Sequence, residues 1–214
     1  MNTSEAKKTS NRKLGESICK ALEARGFSAQ YENAEAACER ALELIEDGAS
    51  VGIPGTVTVR EIGLPERLEE KGCKIAEHWL PNMTREERKA ALIGELEADW
   101  FVTSANALAM DGTIVNIDGT GNRVGVMAWA PGKILYIIGV NKIESDVDSA
   151  LKRARSIASP PNAVRIGMKT PCTAVGRCMD CNSPDRICRV VTMMERAPIG
   201  RECHVIIVGE ELGY

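Results

Sequence analysis

The sequence is poor in the residues on which several familiar enzyme classes depend. Its 214 residues include two histidines, and aromatic residues make up 4%. It contains no HExxH, GxSxG or GxxxxGK[ST] string, which argues against zinc-protease, serine-hydrolase and P-loop chemistry. Its glycine-bearing string DGTGNR is not GxGxxG, so a dinucleotide-binding fingerprint is unsupported as well.

Long apolar runs and a strong charge of one sign are also missing. No run approaches the roughly 20 apolar residues that a membrane-spanning helix needs. The first residues, MNTSEAKKTSNRK, lack the apolar core of a signal peptide. A net charge of −3 gives no sign of broad attraction to nucleic acid or to an acidic membrane. We therefore expect a cytoplasmic protein whose partners include neither nucleic acid nor membrane.

The composition that remains is that of a globular domain. Hydrophobic residues make up 44% and charged residues 27%, and the length allows one sizeable core, so we predict a single domain over residues 1–214. Eight cysteines are notable, because disulfides are rare in a reducing compartment. Cys19 and Cys38 fall on predicted helices and are expected in the core. The tryptophans Trp79, Trp100 and Trp129 are interpreted as core aromatics.

Helix and strand patterns alternate along the chain. An N-terminal helix is predicted over about 5–26, with apolar residues four apart at Leu14, Ile18 and Leu22. Asn33 is expected to cap a second helix that runs through Ile45. Thr84 and Glu87 have the spacing of a capping box, which predicts a helix to about residue 98. Alternation of this kind indicates an α/β layered domain with a largely parallel sheet.

The carboxyl-terminal third is predicted with less regularity. Ser145 is expected to begin a helix that the string Ser159-Pro-Pro-Asn162 ends. Two final strand candidates, residues 187–195 and 204–208, form either an antiparallel hairpin or two separate sheet strands.

The most informative stretch covers residues 100–142. Its three apolar runs, residues 100–102, 113–117 and 134–138, are bounded by Gly, Asp, Asn or Pro and are typical of buried strands. In open α/β sheets, ligands gather where strands pass into loops. The polar residues at those positions, expected at one edge of a single sheet, are Thr103, Ser104, Asn106, Asp118, Gly119, Asn122, Arg123, Asn141 and Lys142.

Within this stretch, the string DGTGNR predicts an anion site. Gly119 and Gly121 allow a tight turn that presents bare amides, and a helix that starts near Asn122 favours negative charge at its N-terminus. Asp118 is the best candidate for acid–base catalysis, and Arg123 for pairing with a ligand carboxylate or phosphate. Two plainer alternatives remain open: Asp118 bonds the amides of the next turn, and Arg123 forms an internal ion pair with Asp118. Lys142 adds a second cation to the same edge. Lys142, Glu61 and Asp111 are further candidates for acid–base catalysis.

A second strand–loop–helix junction follows the strand candidate at residues 50–53. Gly55 leaves backbone amides accessible, and Thr56 and Thr58 place hydroxyls at the junction. Pro54 stiffens the loop and removes one N–H, which weakens it as a phosphate cradle. The alternative is a plain turn whose threonine caps the following helix.

A cysteine segment at residues 170–188, placed before the last two strands, is the second candidate site. It reads Cys172-x5-Cys178-x2-Cys181-x6-Cys188. Two thiolates at C-x2-C spacing can bind one metal from a turn, and four complete a tetrahedral zinc site or hold an iron–sulfur cluster. Because the spacing matches neither the standard ferredoxin nor the zinc-ribbon pattern, redox thiols and packed reduced cysteines remain alternatives.

The strings TSANALAMDGTIVNIDGTGNRV and GVNKI resemble the lactate-utilization (LUD) domain family, and the resemblance extends from about residue 14 to residue 213. It implies a three-layer α/β/α fold similar to ribose-5-phosphate isomerase, glucosamine-6-phosphate deaminase and CoA transferase. It also implies a Gly- and Thr-rich ligand loop followed by an acidic residue and a glycine; here these are Gly55, Thr56, Thr58, Glu61 and Gly63. Pro54 departs from the double-glycine form of that loop.

The resemblance further implies a role in bacterial oxidation of lactate to pyruvate, beside iron–sulfur partner proteins. Three hypotheses follow. The first is a component of lactate or 2-hydroxy-acid utilization that binds a small anionic ligand. The second is another enzyme on the same fold, of the isomerase, cyclo-ligase or acyl/CoA transferase type. The third is a metal- or Fe–S-carrying electron-transfer subunit. A homo-oligomer is compatible with each of them.

Overall fold

A computed structural model describes residues 2–214. In that part of the chain, strands and helices alternate as the sequence predicts. The strands are β1 (Ser28–Glu32), β2 (Ser50–Gly52), β3 (Lys74–Ala76), β4 (Trp100–Thr103), β5 (Ala107–Ala109), β6 (Ile114–Asp118), β7 (Lys133–Gly139), β8 (Ile143–Glu144), β9 (Val190–Met194) and β10 (Cys203–Val208). The helices are α1 (Thr3–Glu23), α2 (Ala34–Leu44), α3 (Val57–Glu61), α4 (Leu64–Glu70), α5 (Arg85–Glu97), α6 (Asn122–Ala128), α7 (Val147–Arg153), α8 (Ser159–Arg165) and α9 (Pro171–Val175).

Six strands form a parallel sheet in the order β1-β10-β7-β4-β2-β3. Side chains alternate between its two faces, as strand geometry requires. In β7, Ile134, Tyr136 and Ile138 enter one core, beside α1 and α6, whereas Leu135 and Ile137 enter the other, beside α2, α3 and α4. The predicted α/β fold with a largely parallel sheet between helices is confirmed.

A second, four-stranded sheet in the order β8-β5-β6-β9 was not predicted. Leu108, Ile114 and Met194 on one of its faces join the core of α1 and α6, whereas Ala107 and Val115 on the other face pack beside α7. The apolar run that ends at residue 117 therefore belongs to a different sheet from the other two runs of the central stretch, which form β4 and β7. Hydrophobicity predicted a strand there, but a buried strand has the same composition in either sheet.

The last two strands do not form a hairpin, so that alternative is wrong. β9 pairs antiparallel with β6 in the small sheet, and β10 lies between β1 and β7 in the large one, parallel to both. The other alternative, two separate sheet strands, is confirmed. The link between them therefore connects two sheets.

Helix ends follow the predicted capping residues at the two clearest positions. The Asn33 side chain accepts a hydrogen bond from the amide of Ala36 at the start of α2. Thr84 and Glu87 form the reciprocal capping box that starts α5. The predicted N-terminal helix is present as α1 and begins after Asn2, whose side chain accepts from the amide of Glu5.

The helix after the central stretch differs from its prediction at both ends. Asp146, not Ser145, is its N-cap. The prolines do not end the helical path, because Ala154–Ala158 form a π-helical turn and Pro160 and Pro161 then fall in the first turn of α8. Proline is tolerated there because its missing N–H has no partner to lose. Ser159 donates its hydroxyl to the carbonyl of Ala154 across this junction (2.8 Å).

Burial confirms most of the predicted core. Cys19, Cys38 and Trp100 are buried, but Trp129 is 73% exposed, so its placement in the core was wrong. It is the residue that follows α6, where the chain turns away from the core. Within residues 2–214, no helix has both the length and the apolar character needed to cross a membrane.

Candidate ligand-binding cleft

A cleft of about 590 Å³ opens beside the carboxyl ends of β2, β4 and β7, which are adjacent to one another in the large sheet. The loops after these strands and the loop after β6 of the small sheet form its walls. It therefore lies between two sheets, and the expectation of a single sheet edge was wrong in that respect. The candidate residues that the fold brings together along its lining are Gly55, Thr56, Thr58, Ser104, Asn106, Asp118, Gly119, Asn122, Arg123 and Lys142.

Asp118, the last residue of β6, is fully engaged by its neighbours. One carboxylate oxygen accepts from the backbone amides of Arg123 (2.8 Å) and Val124 (2.9 Å), and the other accepts from Nε of Arg123 (2.8 Å). Both plainer alternatives are therefore present: Asp118 binds the first turn of α6, and Arg123 pairs with it. The predicted anion site at this helix start is occupied by the protein's own carboxylate, and the geometry favours a positioning role for Asp118.

Lys142 ends the short turn after β7 and is buried against the cleft. Its Nζ donates to Oγ1 of Thr58 (2.8 Å) and to Oγ of Ser104 (3.0 Å). Burial, followed by the positive charges of Arg153 and Arg123, lowers the pKa of Lys142 from 10.5 to about 7, and Glu61 acts in the opposite direction. A lysine in this state is close to half neutral near pH 7.

Glu61, Asn141 and Gly121 do not line the cleft. A carboxylate oxygen of Glu61 accepts from the amide of Gly213 (2.6 Å), and the amide side chain of Asn141 bonds both backbone groups of Leu212. These two residues hold the chain segment 212–214 beside Lys142. Gly121 adopts a left-handed conformation (φ 83°) as the N-cap of α6. The fold thus assigns all three to support of the cleft walls, and their predicted catalytic or ligand contacts remain predictions.

The loop after β2 contributes an unsatisfied hydroxyl. Oγ1 of Thr56 is buried and has no hydrogen-bond partner within residues 2–214. Gly55 is required beside it, because a Cβ at this position would lie 2.3 Å from the indole nitrogen of Trp79. Thr56 is the N-cap of α3 by position but makes no side-chain capping bond, so the plain-turn alternative does not explain its hydroxyl.

Sequence reasoning missed the arginines that dominate the cleft mouth. Arg165 of α8 stacks on the ring of Trp79 (4.1 Å) and donates twice to Oδ1 of Asn162. Arg88 of α5 also lines the cleft. Neither has a carboxylate in ion-pair contact in the part of the chain that the structure describes. Both lie on amphipathic helices where surface arginines are ordinary, so nothing in the sequence distinguished them.

His78 and Glu95 form a buried pair behind the same wall. One carboxylate oxygen of Glu95 accepts from the backbone amide of His78 (3.0 Å) and contacts its Nδ1 (2.6 Å). This places His78, and Trp79 after it, at the cleft where β3 ends. Glu95 is buried on α5, although its sequence context is that of an exposed helix face.

The four cysteines of the predicted metal site lie on and after α9, partly exposed and without disulfide bonds. Among residues 2–214, no group of three His, Cys, Asp or Glu side chains is arranged to hold a metal ion. Burial raises the pKa of the Cys188 thiol, and the charges of Cys178 and Cys172 act in the same direction. The thiols therefore influence one another, and the metal site stays a prediction.

Local hydrogen bonds organise the cysteine segment. Arg186 donates to the carbonyls of Cys188 (2.9 Å) and Cys181 (2.5 Å) and to Oδ1 of Asp180 (3.0 Å). The amide of Asp180, in a left-handed conformation (φ 43°), lies 3.4 Å from Sγ of Cys178. An amide directed at the first sulfur of C-x2-C is suited to a thiolate.

The cysteine segment also forms part of the cleft wall. Ile187 lines the cleft and packs near Gly119, where an added Cβ would be 3.5 Å from its backbone. The amide of Arg189 donates to the carbonyl of Asp118 (3.0 Å). The two candidate sites are therefore adjacent.

Comparison with known proteins identifies the class to which this arrangement belongs. The family model described as the LUD domain matches residues 15–208. The chain therefore belongs to the LUD domain family, as the resemblance of its central strings indicated. No curated protein matches the sequence.

Solved structures agree at the level of the fold. A DUF162 family protein from Deinococcus radiodurans has a TM-score of 0.53 and 14% identity, and the match covers 92% of this chain and 98% of that chain. The translation initiation factor eIF-2B from Pyrococcus horikoshii OT3 has a TM-score of 0.37 and 14% identity over 53% of this chain and 48% of that chain. The eIF2B beta of Chaetomium thermophilum has a TM-score of 0.37 and 15% identity over 54% and 44%. The last two are too distant to support an argument.

Proposed function

We propose that the cleft binds a small anionic metabolite, and that the protein is a component of bacterial lactate or 2-hydroxy-acid utilization. The environment of Arg165 is the observation that supports an anion site. Its guanidinium is fixed on Trp79, lines the cleft and has no carboxylate partner among residues 2–214. A cation that is held in place without a counter-ion is a receptor for an anion, and a guanidinium binds a carboxylate or phosphate through two parallel bonds.

The charge of the whole lining supports this proposal. Asp118 is the one carboxylate side chain on the described lining, and Arg123 already neutralises it. Arg88, Arg165 and the partly charged Lys142 remain as an excess of positive charge. The orphaned hydroxyl of Thr56 offers a further bond to a ligand oxygen. The link to lactate itself rests on the family and is the finer part of the proposal.

The alternative within the same fold class is an isomerase, cyclo-ligase or acyl/CoA transferase type of enzyme that acts on phosphorylated or CoA substrates. The volume of the cleft supports this alternative, since about 590 Å³ is the size of a site for a ligand larger than lactate. Both readings place the anion at the same arginines, so they differ in the ligand and not in the site.

Thermal-shift titrations with L-lactate, pyruvate, inorganic phosphate, ribose 5-phosphate and CoA test the site and the ligand together. A ligand bound to the native state raises Tm in proportion to ln(1 + [L]/Kd). For the ligand that binds, we expect Arg165→Gln to weaken affinity by roughly 10- to 100-fold, the value of a charged hydrogen bond. Arg12→Gln, on the exposed face of α1, is the matched control and is expected to bind as wild type. Equal affinity in both variants rules out Arg165 as the receptor.

We also propose that the cysteine segment holds zinc or an iron–sulfur cluster, which would link this chain to iron–sulfur partner proteins. The amide of Asp180 near Sγ of Cys178 and the Arg186 bonds that join the backbone of Cys181 and Cys188 support it.

Metal analysis after anaerobic purification tests this second proposal. We expect bound zinc or iron at a fixed stoichiometry, lost in Cys178→Ser and kept in Cys73→Ala, a thiol outside the segment. A metal content that is unchanged by Cys178→Ser excludes the cysteine metal site. The alternative of packed reduced cysteines then remains, because Cys188 packs against the apolar cluster beside α7.

A further inference from the structure

Lys142 is a buried amine without a counter-ion. Its two hydrogen-bond partners, Thr58 and Ser104, are hydroxyls, and no carboxylate forms an ion pair with it among residues 2–214. A buried lysine that serves only the fold is normally paired with a carboxylate, because an isolated ammonium is costly to bury. Lys142 instead lines the cleft and is exposed to the positive charges of Arg153 and Arg123.

Burial, and after it the charged groups that face Lys142, keep a large fraction of its amine neutral. Arg153 of α7 and Arg123 of α6 both disfavour a further positive charge, and Glu61 of α3 is the acid that opposes them. Arg123 is already engaged by Asp118, and Arg153 donates to the carbonyls of Asn141 and Asn106. Both arginines stay protonated near neutral pH, so the amine of Lys142 is the group that gives up its proton.

The hydrogen bonds suit a nucleophilic amine. A neutral amine that donates its two N–H groups to Thr58 and Ser104 retains an unshared electron pair. The segment at Gly213 packs directly against it, since an added Cβ there would lie 3.0 Å from Nζ. This cover limits access of water to the amine, which favours a covalent imine over its hydrolysis.

We infer that Lys142 forms an imine with the carbonyl carbon of a 2-oxo acid whose carboxylate is held by the cleft arginines. The inference rests on the proposed anion site and names the substrate class for it. A 2-oxo acid carries its carbonyl next to its carboxylate. Arg123 is a near neighbour of both Lys142 and Arg165. A carboxylate bound by Arg165 can therefore also reach Nη1 of Arg123, the guanidinium nitrogen that makes no hydrogen bond within residues 2–214, with its neighbouring carbonyl toward the amine. In a sugar phosphate the phosphate and the carbonyl are several atoms apart.

The step balances without any further reactant. The electron pair of Nζ attacks the carbonyl carbon and forms a C–N bond, while the carbonyl oxygen takes up a proton. The resulting carbinolamine loses its hydroxyl as water, and both hydrogens of that water derive from the amine. The hydroxyls of Thr58 and Ser104 lie within hydrogen-bond distance of Nζ and can relay these protons.

Borohydride trapping tests the imine directly. Wild-type protein is incubated with pyruvate or 2-oxoglutarate at pH 7, reduced with sodium borohydride and examined by intact-mass and peptide mass spectrometry. We expect one reduced adduct per chain, located on Lys142. At this pH exposed lysines, with a pKa near 10.4, are largely charged and react slowly. Lactate, which has no ketone or aldehyde carbonyl, is the chemical control, and ribose 5-phosphate is the arm for a sugar phosphate.

Two variants and one binding measurement make the result decisive. Lys142→Arg retains a cation and hydrogen-bond donors but cannot form an imine, and we expect it to lose the adduct while still binding pyruvate in the thermal-shift assay. Lys133→Arg, at the other end of β7, should keep the adduct. Absence of an adduct on Lys142, or adducts spread over surface lysines, overturns the inference. If no adduct forms but pyruvate still stabilises wild type and not Arg165→Gln, the imine is excluded while the anion site is retained. If neither effect appears, the anion site has failed first.

Discussion

The strand-end cleft and the cysteine segment differ in how the chain assembles them. The cleft takes Thr56, Asp118, Lys142 and Arg165 from four distant parts of the sequence and brings them to one cavity. The cysteine segment takes its four thiols from 17 consecutive residues, 172–188, yet does not arrange three of them for a metal. The comparison teaches that closeness in sequence is a weaker guide to a site than the position of residues at strand ends.

The same comparison separates two ways of stabilising a site. The cleft is built on buried elements, so its polar groups influence the stability of the whole fold. The cysteine segment is held by bonds among its own exposed or half-exposed residues, which have a mainly local effect. Substitutions in the cleft should therefore change global stability more than substitutions in the cysteine segment.

The largest expected effect is on the pH dependence of stability through Lys142. Its pKa is about 7 in the folded protein and near 10.4 when unfolded, so between these values the unfolded chain binds more protons. Stability therefore rises with pH over this window. Below pH 7 the fold bears the full free-energy cost of burying a charged Lys142. Relative to Lys142→Met, wild type should gain on the order of 4 kcal/mol from pH 6.5 to pH 10, measured by urea unfolding.

Lys133→Met is the matched control at the start of the same strand. Hydrogen bonding to Glu46 raises the pKa of Lys133, so both the folded and unfolded states hold its proton through most of this window. Its stability curve should run parallel to that of wild type. Parallel curves for Lys142→Met as well would mean that Lys142 is charged in the folded state.

The next effect concerns the buried wall behind the cleft. Glu95→Ala removes the acceptor for the amide and ring of His78, and we expect the free energy of unfolding to fall by about 3 kcal/mol. Glu97→Ala, two residues along α5 and exposed, should change it by less than about 0.5 kcal/mol. Chemical denaturation of both variants measures the difference, and equal losses would show that Glu95 does not act through burial.

A smaller effect is expected at Asp118, which touches both regions. Asp118→Asn keeps one oxygen for the amides of α6 but loses the charge that Arg123 contacts, so we expect a loss of about 1–2 kcal/mol. Ligand affinity, measured by thermal shift, should change less than in Arg165→Gln if Asp118 positions the wall. A loss of binding without any loss of stability would instead restore Asp118 as a ligand or acid–base group.

The sequence predicted the parts of this molecule that depend on local patterns. Alternating apolar runs gave β4, β6 and β7, and the capping residues Asn33 and Thr84 gave the starts of α2 and α5. The same runs could not assign β6 to a second sheet, since strand partners are set by packing at long range. Strand ends also predicted ten of the residues that line the cleft.

What the sequence could not predict was chemistry that arises from packing. Asp118 was a plausible acid until its oxygens were seen to bind α6 and Arg123. Nothing in the sequence distinguished Arg165 from the other arginines, and it was α8 that placed it on Trp79. A π-helical turn precedes α8 directly, and two prolines lie in the first turn of that helix. Burial without a counter-ion, which defines Lys142, is likewise a property of the fold.

The smallest effect is expected in the cysteine segment, where Arg186→Ala tests whether this region is a local unit. The variant removes the bonds to the carbonyls of Cys181 and Cys188 and to Asp180, all near the surface. Global stability should fall by no more than about 1 kcal/mol. Amide hydrogen exchange in residues 178–188 should nevertheless become faster, because local opening no longer breaks those bonds.

Arg177→Ala is the control for this measurement, since Arg177 lies in the same segment and makes no side-chain hydrogen bond or ion pair within residues 2–214. Its exchange should match that of wild type. The carbonyl of Asp118 accepts from the amide of Arg189, so protection at Arg189 reports on the junction with the cleft. If Arg186→Ala leaves Arg189 protected, the segment opens independently of the cleft. If protection at Arg189 and the stability of the whole fold fall together, the two regions form one cooperative unit, and a ligand in the cleft would then be coupled to the state of the thiols.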